Sequence, residues 1–100
     1  MRSRMVPFSR LVPRLRRIVR QISTELSKNV SFELDNIEGE LDRSVLERMV
    51  APLEHMLRNA VDHGIESIED RTKAGKPETG RIVLSLERKG GNELIRLADE

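Results

Sequence analysis

Two histidines, an asparagine and an aspartate lie close together in this chain: His55, Asn59, Asp62 and His63. At about 100° per residue, a helix through this segment gathers all four on one ridge about 100° wide. An asparagine amide oxygen is a hard, neutral donor suited to Mg²⁺, which keeps several waters and takes other ligands from substrate phosphates. Such a ridge suits a magnesium polyphosphate. A solvated polar helix face ending in capping residues explains the same spacing, so spacing alone leaves both readings open. Zinc is a poor fit. His55 and His63 stand ~12 Å apart along a helix, there is no H-E-x-x-H, and no third ligand is near in sequence. Neither G-x-x-x-x-G-K-[ST] nor G-x-G-x-x-G occurs, and Gly90-Gly91 reads more simply as a hairpin turn.

A helix must carry the ridge, and the sequence supplies one. Ser44 with Glu47 makes a capping box near Asp42, and the apolar period continues to His63 before Gly64. Leu46, Met49, Val50, Leu53, Leu57, Ala60 and Val61 form a broad apolar arc that should face a sheet. Glu54 and Arg58 form an i, i+4 pair on another arc. Pro52 predicts a kink or break. An earlier helix is expected from Pro13 to Lys28, with Leu15, Ile18, Val19 and Ile22 on its apolar face. Val30, Phe32 and Leu34 alternate with polar residues as a half-buried strand, and Asn36 to Glu40 reads as a turn. Ser67 with Asp70 starts a short helix ended by Gly75 and Pro77. Arg81 to Arg88 and Glu93 to Ala98 read as strands joined by Lys89-Gly90-Gly91-Asn92. This order predicts an α/β two-layer sandwich.

Composition narrows the function classes. Among 100 residues, 18 Lys+Arg balance 17 Asp+Glu for a net charge of +1, which argues against a globally basic nucleic-acid binder. Aromatics are 2% and cysteines 0, which leaves no base-stacking platform, disulfide, thiol nucleophile or cysteine zinc site. No apolar run approaches the ~20 residues of a membrane span, and arginines interrupt any secretory core near the start. Charge is nevertheless uneven. Residues 1–24 hold seven arginines and no acid, and the rest carries a net of −6.

The run His55-Met-Leu-Arg-Asn59-Ala-Val-Asp62-His63-Gly64-Ile65-Glu66 resembles the asparagine box of CheA-type chemotaxis histidine kinases and their type IV pilus relatives. Met5-Val-Pro-Phe8, Arg14-Leu-Arg-Arg-Ile-Val-Arg20, Glu40-Leu-Asp-Arg43, Pro52-Leu53, Arg71, Gly75-Lys-Pro77 and Gly80 follow in the family order. The likeness runs from Met5 to Glu100. It implies a Bergerat (GHKL) ATP-binding fold shared with gyrase, truncated here in its C-terminal half. Residues 1–12 would end a dimerisation domain or linker, and 13–100 would begin the ATP-binding catalytic domain.

By that resemblance, Asn59 holds the Mg²⁺ that accompanies ATP, and Asp62 and His63 line the phosphate end of the pocket. For His63 the alternative is a histidine satisfied by the last helix carbonyls. Arg58 is a candidate for phosphate contact, equally a partner of Glu54. His55 is the catalytic candidate: it stands where ATP-hydrolysing relatives carry a water-activating glutamate, and suits transfer to a histidine acceptor better than hydrolysis. Asp99-Glu100 matches the start of the D-x-G-x-G box, so Asp99 would accept a hydrogen bond from the adenine amino group. Its glycines, the lid and the second glycine box would lie outside this chain, which alone should not bind ATP usefully.

The implied partners are a histidine-phosphotransfer domain, response regulators, a coupling protein and chemoreceptors, with a homodimeric, cytoplasmic parent kinase. No nucleic acid and no membrane insertion are implied. The Arg-rich Val12-Pro-Arg-Leu-Arg-Arg17 stretch leans towards the pilus branch. Two other readings differ in class: an inactive interaction fragment, and a basic amphipathic helix binding anionic lipid or nucleic acid.

Overall fold

Alternation and helical periodicity sort this chain into two layers. The computed structural model describes residues 4–89 and 92–99. Strand β1 (Met5–Pro7) leads through a 3₁₀ turn, Phe8–Leu11, into α1 (Val12–Glu25). Then come β2 (Asn29–Asp35), β3 (Glu40–Asp42), α2 (Arg43–Asn59) with a π-helical turn at Ala60–Gly64, α3 (Ile68–Lys73), β4 (Thr79–Lys89) and β5 (Asn92–Asp99). A three-stranded sheet has the order β2-β4-β5, with β2 parallel and β5 antiparallel to β4. The result is the expected two-layer α/β sandwich. The centre of the expected 89–92 turn, and Glu100, lie outside the described residues.

Period two builds the sheet's inner face. Ile82, Leu84 and Leu86 of β4 are buried, and the register sets Phe32 and Leu34 beside the first two. Leu15, Val19 and Ile22 of α1, Leu53 and Leu57 of α2 and Val61 of the π-helical turn cover that face. Val6 and Phe8, from the segment that resembles the end of a preceding unit, join the same core. Sequence reasoning does not anticipate β1 and β3, which pair antiparallel. Each is three residues long, too short for a visible alternation.

Four local expectations need correction. α1 ends at Glu25, not Lys28, because Ser27 turns left-handed (φ 53). The Ser27 N–H then reaches Thr24 C=O at 3.3 Å and the Lys28 N–H reaches Ser23 C=O at 3.0 Å, the double bond of a Schellman cap. No capping box forms at α2. Asp42 is the N-cap and accepts from the Ser44 N–H at 2.9 Å, while Glu47 pairs with Arg43. Pro52 does not break α2, which runs through it to Asn59 with the ring on an exposed side. Arg58 does not pair with Glu54 but reaches Glu25 of α1 at 3.5 Å. The short α3 is as expected, with Ser67 Oγ accepting from the Asp70 N–H at 3.1 Å.

Candidate functional site

Asn59 is the last residue of α2 proper, and the turn after it is wider than an α turn. π-helical turns close i→i+5 hydrogen bonds and recur at functional sites. Beneath this turn runs β5. Ile95 and Leu97 lie opposite Leu86 and Leu84, and Asp99 lies opposite Ile82. The same period therefore brings Asp99 onto the inner, helix-facing side of the sheet. A carboxylate thus stands where the pattern asks for another apolar residue.

The two meet at Gly64. A Cβ built there would overlap the Asp99 carboxylate and lie 2.7 Å from its Cγ. Only a residue without a side chain allows that approach. Around the contact is a cavity of about 420 Å³ lined by Met56, Asn59, Ala60, His63, Gly64, Leu97 and Asp99. Its polar groups are Asn59, His63 and Asp99, and Met56, Ala60 and Leu97 supply apolar wall. The size falls within the usual range for small-molecule sites.

His55 sits one turn before Asn59. Asn59 Nδ2 lies 3.2 Å from His55 Nε2. An amide nitrogen only donates, so this contact requires the tautomer in which Nε2 is unprotonated. The Asn59 carbonyl oxygen is left free of that bond. Asp62 and Arg58 are directed elsewhere. The Asp62 carboxylate is 3.5 Å from His63 Nε2, and Arg58 holds Glu25. Of the residues singled out in sequence, Asn59, His63 and Asp99 share the cavity, His55 touches Asn59, and Arg58 and Asp62 do not line it.

Two residues that matter here were not singled out. Lys28 donates to the carbonyls of Val61 at 2.8 Å and Asp62 at 2.6 Å. The last helix carbonyls are therefore met by Lys28, not by His63. No sequence signal points to Lys28, because its acceptors are 33 and 34 residues away. Helical periodicity marks Gly64 as a helix stop and the resemblance places it in the asparagine box, but its contact with Asp99 depends on sheet register.

Below the site, the loop after Gly64 is locked by Arg71, which is 4% exposed. Its guanidinium donates to Pro77 C=O at 2.7 Å, Thr79 C=O at 3.5 Å and the Glu66 carboxylate at 3.1 Å. Lys76 meets the other Glu66 oxygen at 2.6 Å. That hydrogen bond first, then a backbone N–H and the nearby charges of Lys76 and Arg71, hold the Glu66 carboxyl below its ordinary value. Gly80 admits Ile65, whose Cγ2 would lie 2.6 Å from a Cβ. These contacts account structurally for Gly80, Arg71 and Pro77.

A bigger hollow of about 700 Å³ lies between α1 and β2, lined by Arg16, Arg20 and Lys28 but by no acid or histidine. The smaller cavity is the better candidate, since an amide, an imidazole and a carboxylate all line it. Among the described residues there is no cluster of three metal-ligating side chains. No described helix is long and apolar enough to cross a membrane.

An asparagine–histidine ridge on a two-layer α/β sandwich occurs here in a sequence that aligns along its whole length with sensor histidine kinases of chemotaxis. The chain is 40% identical over 100 residues to the sensor histidine kinase CheAY of Helicobacter pylori, covering 100% of this chain and 12% of that protein. It is 42% identical over 97 residues to the chemotaxis protein CheA of Klebsiella aerogenes, covering 97% of this chain and 15% of the relative. For CheA of Bacillus subtilis the identity is 40% over 97 residues, or 14% of the relative. The chain is thus similar over its length to CheA-type chemotaxis kinases and spans less than a sixth of the length of these relatives. No protein-family model matches it.

Proposed function

We propose that this chain forms the asparagine-bearing part of the ATP-binding site of a CheA-like protein-histidine kinase. The observation that carries the proposal is the Gly64–Asp99 contact, which brings a carboxylate into the same cavity as Asn59 and His63. The residues fit the substrate. A carboxylate accepts from an adenine amino group, apolar walls suit the base, and an amide oxygen with an imidazole suits the metal-phosphate end.

On this reading Asn59 Oδ1 is the ligand for the Mg²⁺ that accompanies ATP, where the metal neutralises phosphate charge. His55 takes the hydrogen of the Asn59 amide and so leaves Oδ1 to the metal. It offers no carboxylate to activate water, which favours transfer of the γ-phosphoryl to a histidine on a phosphotransfer domain. Catalysis is then mainly positioning and charge neutralisation. His63 faces the phosphate end. Arg58 reaches phosphate only by leaving Glu25, an exposed pair worth about 0–1 kcal/mol. Residues 13–100 are accordingly part of the catalytic domain, and residues 1–12 enter it from the dimerisation side. In the parent kinase the partners are the phosphotransfer domain, response regulators, coupling protein and chemoreceptors, in the cytoplasm.

Calorimetry on a full-length kinase carrying this segment tests the assignment. Asn59→Ala should abolish the Mg²⁺-dependent part of nucleotide affinity while the protein stays folded. Unchanged Mg²⁺-dependent binding would remove Asn59 from the site. His55→Gln should lower phosphotransfer more than nucleotide affinity; equal losses would make it only a nucleotide contact, and no loss a bystander.

A further inference from the structure

Lys28 has its course set by the backbone before its side chain is considered. It is the residue after Ser27 in the Schellman cap, and its N–H is spent on Ser23 C=O. From that fixed point the ammonium reaches across to Val61 C=O and Asp62 C=O at 2.8 and 2.6 Å. Both carbonyls belong to the π-helical turn, and the chain becomes extended at Ile65. No further turn follows to satisfy them. A cation there also meets the negative end of the α2 dipole.

The width of this turn decides what the cavity contains. In an α-helix, Gly64 would lie about 140° round the axis from Asn59. A π turn has more residues per turn and bonds residue i+5 to residue i, and so turns Gly64 back towards Asn59. Because π turns are rare, a contact from outside the helix can decide between the two forms. We infer that Lys28 is a positioning residue for the site: clamping two π-turn carbonyls, it keeps Gly64 turned towards Asn59 and against Asp99. The inference rests on the nucleotide-site reading for its function but not for its structural part.

Two substitutions separate charge from stem. Lys28→Met keeps the methylenes and loses the donors; Lys28→Arg keeps a charged donor. Hydrogen exchange of this chain should show the amides of residues 60–66 exchanging about ten-fold faster in Lys28→Met. β4 should be unaffected and Lys28→Arg should retain protection. In a full-length kinase carrying the segment, calorimetry with Mg²⁺ and a non-hydrolysable ATP analogue should show Lys28→Met binding about ten-fold more weakly. Unchanged exchange at 60–66, or equal acceleration throughout, overturns the clamp. Faster local exchange with unchanged analogue affinity overturns its role at the site. If the unsubstituted kinase binds no analogue, the nucleotide reading falls instead, and the exchange data still decide the clamp.

Discussion

Gly64 and Gly80 make the same demand on the backbone for different ends. At Gly80 a methyl would meet buried Ile65, so Gly80→Ala should cost about 1–3 kcal/mol in chemical denaturation, the usual cost of overpacking. At Gly64 the methyl would meet the carboxylate of exposed Asp99, which can swing aside. Gly64→Ala should therefore change stability by less than about 1 kcal/mol while sharply reducing nucleotide affinity in the full-length kinase. Equal stability losses would make Gly64 a packing residue only. Glu66 gives a second test. Its carboxyl is held low when folded, so its contribution is present above the ordinary value of 4.5 and lost as pH falls through the lowered one. Denaturation midpoints measured from about pH 6 to pH 3 should fall more steeply for the native chain than for Glu66→Gln; parallel curves would defeat this. Much of the candidate site was legible at this scale, since helical spacing alone puts Asn59 and His63 on one ridge, though it does not separate a site from a solvated face. Asp99 came through resemblance, and Lys28 escaped because an ammonium on two distant carbonyls leaves no local pattern.

Helix ends, rather than helix interiors, are where sequence reading strayed. Apolar periodicity located α1, α2 and β4 because burial repeats over many residues. Termini depend on single hydrogen bonds, and near α2 two acceptors competed: Asp42 took the Ser44 N–H, so Glu47 was free to hold Arg43. Asp42→Ala should accordingly lower stability by about 1 kcal/mol, and Glu47→Ala by only a few tenths. Thermal melts that rank the two the other way would restore the capping box. At α1 the left-handed Ser27 is a strained choice for a side chain. Ser27→Gly should raise stability by about 0.5–1 kcal/mol, after the glycine's greater unfolded freedom is allowed for. A loss instead would mean that the Ser27 side chain supports the cap. The strand pair β1–β3 was invisible for a related reason: three residues carry no period, and the pairing is fixed by bonds such as Arg43 N–H to Arg4 C=O at 2.8 Å.

Across the whole molecule, Arg16 shows how an arginine of the first 24 residues can serve the fold. α1 presents Leu15, Val19 and Ile22 to the core. Arg16 donates to Phe32 C=O at 3.1 Å with its guanidinium 5.8 Å from the Phe32 ring centre, covering part of the outer edge of β2. Liposome sedimentation and nucleic-acid shifts at physiological salt should show no strong binding; salt-sensitive binding to either would promote the basic-helix reading. The candidate cavity has all three of its polar groups exposed, so a fluorescent ATP analogue should not saturate this chain alone. Saturable binding lost in Asp99→Asn would show that one helix end and one strand suffice. The register of the sheet also has a bearing on time. Phe32 lies opposite Ile82, fifty positions later, whereas β4 and β5 are neighbours along the chain. A chain leaving the ribosome can form α1 and α2 early, but β2 has no sheet partner until β4 has emerged. Closing that long loop is the slow, entropically opposed event, and the apolar faces of both helices wait uncovered for it. Nascent copies of this segment are thus most open to chaperones, and to one another, in the interval between the synthesis of Phe32 and that of Leu86.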